Sequence, residues 1–126
     1  MKTALILFAH GARDPEWANP MRQVQAELRR RCPGAAVELA FLEFMAPGLL
    51  DCAASLVADG AGKIVILPMF ISRGGHLKKE VPEMLAELRE RHPAVDFVLG
   101  GAIGEHEIVL RAMADAALAV AGSELA

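Results

Sequence analysis

Short apolar runs alternate along the chain with stretches in which apolar residues recur every three or four positions. The runs lie at residues 5–9, 37–42, 64–67 and 95–99, and Glu38 and Asp96 interrupt the second and the fourth. The uninterrupted first and third runs are typical of strands buried on both faces of a parallel sheet. The intervening periodicity is that of one face of a helix. The pattern therefore predicts a strand followed by a helix, four times in succession.

Proline, glycine and capping residues predict where the helices begin and end. Asp14-Pro15 and Asn19-Pro20 each offer a cap followed by proline, so we expect an early turn and then the first helix, which ends at residues 32–34. Pro47 is predicted to open the second helix, and Pro82 to lie in the first turn of the third, after a loop at residues 69–79. The apolar helix positions are Trp17, Met21, Val24 and Leu28, then Leu50, Ala53, Ala54 and Val57, then Val81, Leu85 and Leu88, and finally Val109, Met113, Ala116 and Val120.

Crossovers of this length require parallel strands joined by right-handed connections. We therefore predict an α/β fold with a four-stranded parallel doubly wound sheet, in the order 2-1-3-4, flanked by helices on both faces. No linker, charge block or low-complexity run divides the sequence, so residues 1–126 are expected to form a single domain.

Composition narrows the possible functions. Hydrophobic residues make up 54% of the chain and the mean hydropathy is +0.34, a surplus that favours a subunit interface. The net charge of −3 gives no indication of nucleic-acid binding. Cys32 and Cys52 lack Cys-x-x-Cys spacing, as expected of reduced thiols in a cytoplasmic protein. No apolar run is long enough for a signal peptide or a membrane span, so no membrane partner is expected.

Potentially reactive side chains follow the ends of the predicted strands. His10 follows the first, Glu43 follows the second, and His76 lies in the loop after the third. Because parallel strands end at one edge, where ligands bind in open α/β sheets, we expect the three to converge. Two imidazoles and a carboxylate suit a divalent first-row metal and can accept protons. A turn-capping His10 and a solvated Glu43 are the alternatives. His92 is assigned a structural role at a helix end, whereas His106, at the start of the last helix, is a weaker candidate for supporting the site.

Basic and glycine residues surround this predicted site. The basic residues in loops at the same edge are Arg13, Arg73, Lys78 and Lys79. They predict a locally positive rim that favours a substrate with carboxylates or phosphates, with salt bridges to nearby acids as the alternative. Gly74 and Gly75 permit close approach of a ligand to the backbone. They form neither a Walker A loop nor a dinucleotide fingerprint, so neither ATP nor a dinucleotide is expected.

Two segments of the sequence resemble motifs of the sirohydrochlorin chelatases, the ATP-independent class II tetrapyrrole chelatases of cobalamin and siroheme synthesis. Residues 7–15, LFAHGARDP, resemble their opening motif. Residues 68–76, PMFISRGGH, followed by Glu80-Val81-Pro82, resemble their second motif. The length matches the short single-domain form. Ala12 stands where the family often has serine, and Glu80 where it often has aspartate.

The resemblance implies a chelatase-like half-domain that inserts Co²⁺ or Fe²⁺ into sirohydrochlorin, with the metal as a substrate and no permanently bound cofactor. His10 and His76 correspond to the family's metal-binding, proton-accepting histidines, and Glu43 to their acidic partner. Because short forms are similar to half of a longer two-domain enzyme, a homodimer is implied. Core packing is an equal alternative for Phe70. The residues expected to contact the tetrapyrrole are Arg13, Phe70, Ser72, Arg73, Gly74, Gly75 and Lys78.

Two other functions fit part of this pattern. His10-Gly11 and Arg13 are similar to the Arg-His-Gly signature of histidine phosphatases, although Ala9 occupies the position of the arginine. A non-catalytic metal carrier or sensor would bind Co²⁺ or Ni²⁺ without inserting it. Imidazole suits cobalt, iron and nickel alike, so the ligand types do not choose the metal.

Overall fold

The strands form one parallel sheet in the order β2-β1-β3-β4, as predicted. A computed structural model describes residues 2–72 and 74–125, with the backbone alone at residue 76. Single turns of 3-10 helix at Pro15–Ala18 and Ile103–Glu105 precede the first and last helices. The elements are β1 (Lys2–Ala9), α1 (Asn19–Arg31), β2 (Ala36–Phe41), α2 (Leu49–Ala58), β3 (Ala61–Pro68), α3 (Gly75–Arg91), β4 (Asp96–Leu99) and α4 (Glu107–Leu125).

Strand β1 is the centre of the molecule because its side chains alternate between two cores. Ala4, Ile6 and Phe8 are fully buried on the face covered by α2 and α3. Leu7 and Ala9 are fully buried on the opposite face, which α1 covers. Burial on both faces explains why this strand appears in the sequence as an uninterrupted apolar run.

The face beneath α1 is covered unevenly. Helix α1 packs over β1 and β2. On the same face, β3 and β4 present Val65, Leu67 and Val98, and within residues 2–72 and 74–125 no comparable helix covers them. Helix α4 packs instead against the 3-10 turn that precedes it, and none of its described residues is buried. No helix among the described residues has both the length and the hydropathy that a bilayer crossing requires.

Two prolines that were predicted to open helices do not do so. Pro47 precedes α2, and its carbonyl oxygen accepts a hydrogen bond from the Phe41 N–H at 2.9 Å. Helix α3 begins at Gly75, so Pro82 lies inside it and the loop predicted at residues 69–79 is shorter. The helix gains Leu77, which packs against the core one turn before the buried Val81. This burial offsets the hydrogen bond that a proline removes from a helix.

The third strand also begins earlier than its apolar run. Ala61 pairs with Lys2, three residues before the apolar run that begins at Ile64. The turn is made just before the strand, where Gly60 has a φ of +98°. Strands β1 and β4 end where predicted, at Ala9 and Leu99, and the remaining boundaries differ from the predicted ones by one to three residues.

Candidate active site

The imidazole of His10 and the carboxylate of Glu43 meet at the carboxyl edge of the sheet. His10 Nε2 lies 2.8 Å from Glu43 Oε1, and the two side chains are 49% and 48% exposed. The ladder between β1 and β2 continues past the strand ends, since the Leu42 N–H donates to the Ala9 carbonyl at 2.9 Å and the Glu43 N–H to the His10 carbonyl at 3.1 Å. The backbone therefore holds the two predicted residues side by side while leaving both accessible to a ligand.

Gly11 allows the two loops to approach each other this closely. Its φ is +93°, and a Cβ at this position would lie 2.0 Å from the carbonyl oxygen of Glu43. Only glycine fits both the backbone conformation and the available space. The residue after His10 thus fixes the position of the loop that carries Glu43.

Buried aromatic rings support the His10 imidazole from the core side. The Phe70 ring meets it edge-on, with the centroids 6.5 Å apart, and Phe70 in turn packs edge-to-face on Phe8 at 5.9 Å. Phe70 is only 7% exposed. Its location favours core packing, the alternative to tetrapyrrole contact, and gives it a role in restricting the imidazole.

The contact between His10 and Glu43 suits both metal binding and proton transfer. A neutral ring that donates its Nε2–H to the carboxylate keeps the lone pair of Nδ1 for a metal ion. A ring protonated at both nitrogens forms an ion pair with the same carboxylate. The pair can therefore hold a cation or take up a proton without rearranging the backbone.

The rim of the site includes an aromatic residue that was not predicted from the sequence. Phe44 follows Glu43 with a φ of +67° and is 58% exposed. The guanidinium of Arg13 lies 4.9 Å from the centre of its ring. Ile71, in the loop after β3, is also exposed. The sequence signal for Phe44 is its position next to a candidate acid at a strand end. Its strained, exposed conformation is visible only in the structure.

The second motif lies where β3 leads into α3. His76 is in the first turn of α3, at the same edge of the sheet as His10, but its side chain lies outside the described residues, as does Arg73. Ser72, Gly74, Gly75 and Lys78 are exposed, and Gly74 is the N-cap of the helix. Among the described side chains, no three His, Cys, Asp or Glu groups come together.

The other histidines have local roles. His106 precedes α4 and is not part of it, and its Nδ1 accepts a hydrogen bond from the Ile108 N–H at 3.3 Å. His92 ends α3 and packs on Phe97, with ring centroids 6.2 Å apart. Ala9 is uncharged and fully buried. The site therefore lacks a cation at the position where the histidine-phosphatase signature has arginine.

Comparison with known proteins shows that this chain is similar to chelatases. The profile of the CbiX family matches residues 4–119. A sirohydrochlorin cobaltochelatase of Priestia megaterium is 36% identical over 110 residues, which cover 87% of this chain and 35% of that protein. A sirohydrochlorin cobaltochelatase of Sulfolobus acidocaldarius is 32% identical over 122 residues, which cover 94% of this chain and 95% of that protein.

The fold is also that of a chelatase whose structure contains metal. The sirohydrochlorin chelatase SirB from Bacillus subtilis, solved in complex with cobalt, superposes with a TM-score of 0.78 and 25% identity. The match covers 91% of this chain and 49% of SirB. The chain thus spans about a third of the Priestia protein and about half of SirB, but nearly the whole Sulfolobus protein.

Proposed function

We propose, because the chain belongs to the CbiX family, that it inserts Co²⁺ or Fe²⁺ into sirohydrochlorin without ATP. The observation that carries this proposal is the His10–Glu43 pair, with Nε2 and Oε1 2.8 Å apart, exposed at the ligand-binding edge of the sheet. The names of the Priestia and Sulfolobus relatives and the cobalt in SirB support it.

Insertion removes two pyrrole protons from the macrocycle and water from the metal ion. His10 binds the metal through Nδ1 while Glu43 orients the ring through Nε2. A neutral imidazole holds a borderline metal without retaining it, and its Nδ1 can take up one of the protons once the metal has left that nitrogen. Glu43 offsets the metal's charge or accepts the other proton. His76, from the first turn of α3, is the second metal ligand and proton acceptor in this proposal.

The rim provides the surface for the tetrapyrrole. Arg13 and Lys78 are exposed and attract the carboxylates of sirohydrochlorin, and Phe44 and Ile71 offer apolar area to the face of the macrocycle. Because Arg13 lies over Phe44, one loop presents a charge and an aromatic ring together. The backbone and side chains of Ser72, Arg73, Gly74 and Gly75 complete the proposed binding loop. The protein acts as a homodimer in this proposal.

The central experiment mixes the purified protein with sirohydrochlorin and Co²⁺ without ATP and follows the absorbance of the macrocycle. His10→Ala and His76→Ala are each expected to slow insertion by about 10²–10⁴-fold, since each removes a proton-accepting ligand. His92→Ala is the matched control, because His92 ends a helix away from the loops of the site. Full activity in either of the first two variants would contradict the assigned roles.

Two glutamate-to-glutamine substitutions test the role of Glu43. Glu43→Gln keeps the shape but removes the charge, and we expect insertion to slow by about 10–100-fold. Glu38→Gln is the control, since Glu38 lies on β2, the strand that leads to Glu43, has similar exposure, and pairs with Arg29 at 3.1 Å. Equal rates in the two variants would remove Glu43 from the mechanism.

Two further readouts distinguish a chelatase from a metal carrier or sensor and from a phosphatase. Binding of Co²⁺ with an unchanged sirohydrochlorin spectrum would indicate a metal carrier or sensor, and rapid hydrolysis of p-nitrophenyl phosphate would indicate a phosphatase. Parallel assays with Co²⁺, Fe²⁺ and Ni²⁺ compare the metals that imidazole accepts.

A further inference from the structure

Glu80 is a half-buried carboxylate on a helix whose neighbouring lysines are exposed. Its Oε2 atom has less than 1 Å² of accessible surface, whereas Lys78 and Lys79 are exposed to solvent. Removing a carboxylate oxygen from water is costly unless a group of the protein compensates for the lost hydration. Glu80 does interact with another group within the protein. Its position on α3 indicates which group the carboxylate serves.

The helical repeat places Glu80 one turn after His76. Helix α3 spans both positions, and its first turn is closed by the Lys78 N–H, which donates to the Gly74 carbonyl at 3.0 Å. Residues four positions apart lie on the same side of a helix, with their Cβ atoms about 5–6 Å apart. Because helical side chains lean toward the N-terminus, a glutamate carboxylate is within reach of a histidine one turn before it.

The side of α3 that carries Glu80 faces the part of the sheet edge where His10 lies. Glu87 is two turns further along the same side, and it lines a groove of about 490 Å³ together with the first turn of α2 and with Phe8 of β1. Phe8 packs against Phe70, whose ring meets the His10 imidazole. Position 80 therefore lies on the side of α3 that is turned toward the candidate site.

We infer that Glu80 is a positioning residue, which holds the His76 imidazole as Glu43 holds that of His10. The inference rests on the proposed function, in which His76 is the second metal ligand. Metal-binding histidines commonly donate their other ring N–H to a carboxylate, which fixes the ring and makes the metal-binding nitrogen more basic. His10 has such a carboxylate at 2.8 Å. Glu80 provides the equivalent partner on α3.

Two histidine–glutamate pairs match the two protons that metal insertion releases. Each histidine takes one pyrrole proton on the nitrogen that the metal ion has left, and its own carboxylate stabilises the resulting imidazolium. The metal ion replaces both protons in the macrocycle, so the step is balanced without an oxidant or reductant.

The test is a double-mutant cycle on Co²⁺ affinity, which is followed by the visible absorption of the bound ion and requires no sirohydrochlorin. Glu80→Gln is expected to weaken Co²⁺ binding by about 10–100-fold. It should lower kcat for insertion by a similar factor with little change in KM for sirohydrochlorin. In the His76→Ala background, Glu80→Gln should have no further effect, because the ring that it positions is absent.

Two further variants separate this role from a general effect of charge or stability. Glu83→Gln is the matched control, since Glu83 is an exposed glutamate of α3 about 10 Å along the helix axis from His76. It should bind and insert Co²⁺ as the wild type does. Glu80→Asp retains the carboxylate and should recover part of the affinity that Glu80→Gln loses. Urea denaturation identifies conditions in which every variant is folded.

Three outcomes would overturn the inference. The first is wild-type Co²⁺ affinity in Glu80→Gln. The second is an equal loss from Glu80→Gln in the wild-type and His76→Ala backgrounds, which would show that Glu80 acts independently of His76. The third is an equal loss in Glu80→Asp and Glu80→Gln. A protein that shows the coupling in Co²⁺ affinity but leaves sirohydrochlorin unchanged would reject the proposed function and support this inference.

Discussion

Replacing Gly11 with alanine tests whether the contact between the loops after β1 and β2 positions the His10–Glu43 pair. The new Cβ would lie 2.0 Å from the carbonyl oxygen of Glu43 and 3.1 Å from its carbonyl carbon. Neither atom belongs to a flexible side chain, so the loop after β2 has to move. The expected displacement lengthens the 3.1 Å hydrogen bond from the Glu43 N–H to the His10 carbonyl and separates the two side chains.

The expected loss in free energy of unfolding has two components. A positive φ costs a non-glycine residue about 1–2 kcal/mol. A backbone shift forced by an added methyl group costs about 1–3 kcal/mol more. We therefore expect Gly11→Ala to lower the free energy of unfolding by about 2–5 kcal/mol. Gly60 isolates the cost of the positive φ, because its φ is +98° but no atom of the described residues lies within 4 Å of its Cβ position. Gly60→Ala should lose only about 1–2 kcal/mol.

Urea denaturation measures both stabilities, and the absorbance assay measures insertion by both variants at a temperature where each is folded. Insertion should fall in Gly11→Ala and remain at the wild-type rate in Gly60→Ala, which alters a turn at the opposite edge of the sheet. If Gly11→Ala is no less stable than Gly60→Ala and inserts metal at the wild-type rate, the loop contact does not position the pair.

Three further predictions follow from contacts outside this pair. Gly104→Ala, whose Cβ would lie 2.3 Å from the Cα of Ile71, should lower the free energy of unfolding by about 1–3 kcal/mol in urea denaturation. Phe44→Ala should raise KM for sirohydrochlorin with little change in kcat, and steady-state kinetics that show the reverse would assign Phe44 to the chemical step. Burial raises the pKa of Cys52 to about 11, so this thiol loses its proton at a lower pH in the unfolded chain than in the folded protein. The free energy of unfolding should therefore fall by about 2–3 kcal/mol between pH 9 and 11, and Cys52→Ala should remove this pH dependence. In the folded protein, iodoacetamide should label the exposed Cys32 before the buried Cys52.

The sheet was predictable because burial on both faces leaves a direct trace in the sequence. Ile6 and Leu7 of β1 face different cores, so neither position tolerates a polar residue and the run is continuous. The helix starts were harder to predict because Pro82 fits a first turn by its local preference. The packing of Leu77 on residues distant in the sequence decided the boundary instead.

The candidate site was predictable only to the level of strand ends. The topology rule placed His10 and Glu43 at one edge, and the structure brings them into contact. The reason for the glycine at position 11 is a backbone approach between loops more than thirty residues apart, which no local pattern indicates. Phe44 was not predicted for the same reason, since its positive φ results from the path of the loop after β2.

The short turn that leads into α4 is physically connected to the candidate site. The Gly104 N–H, in the turn that leads into α4, donates to the Phe70 carbonyl at 2.9 Å. Phe70 supports the His10 ring, and the next residue, Ile71, lies at the exposed rim. A displacement of this turn would therefore move the loop after β3 and the His10 imidazole together.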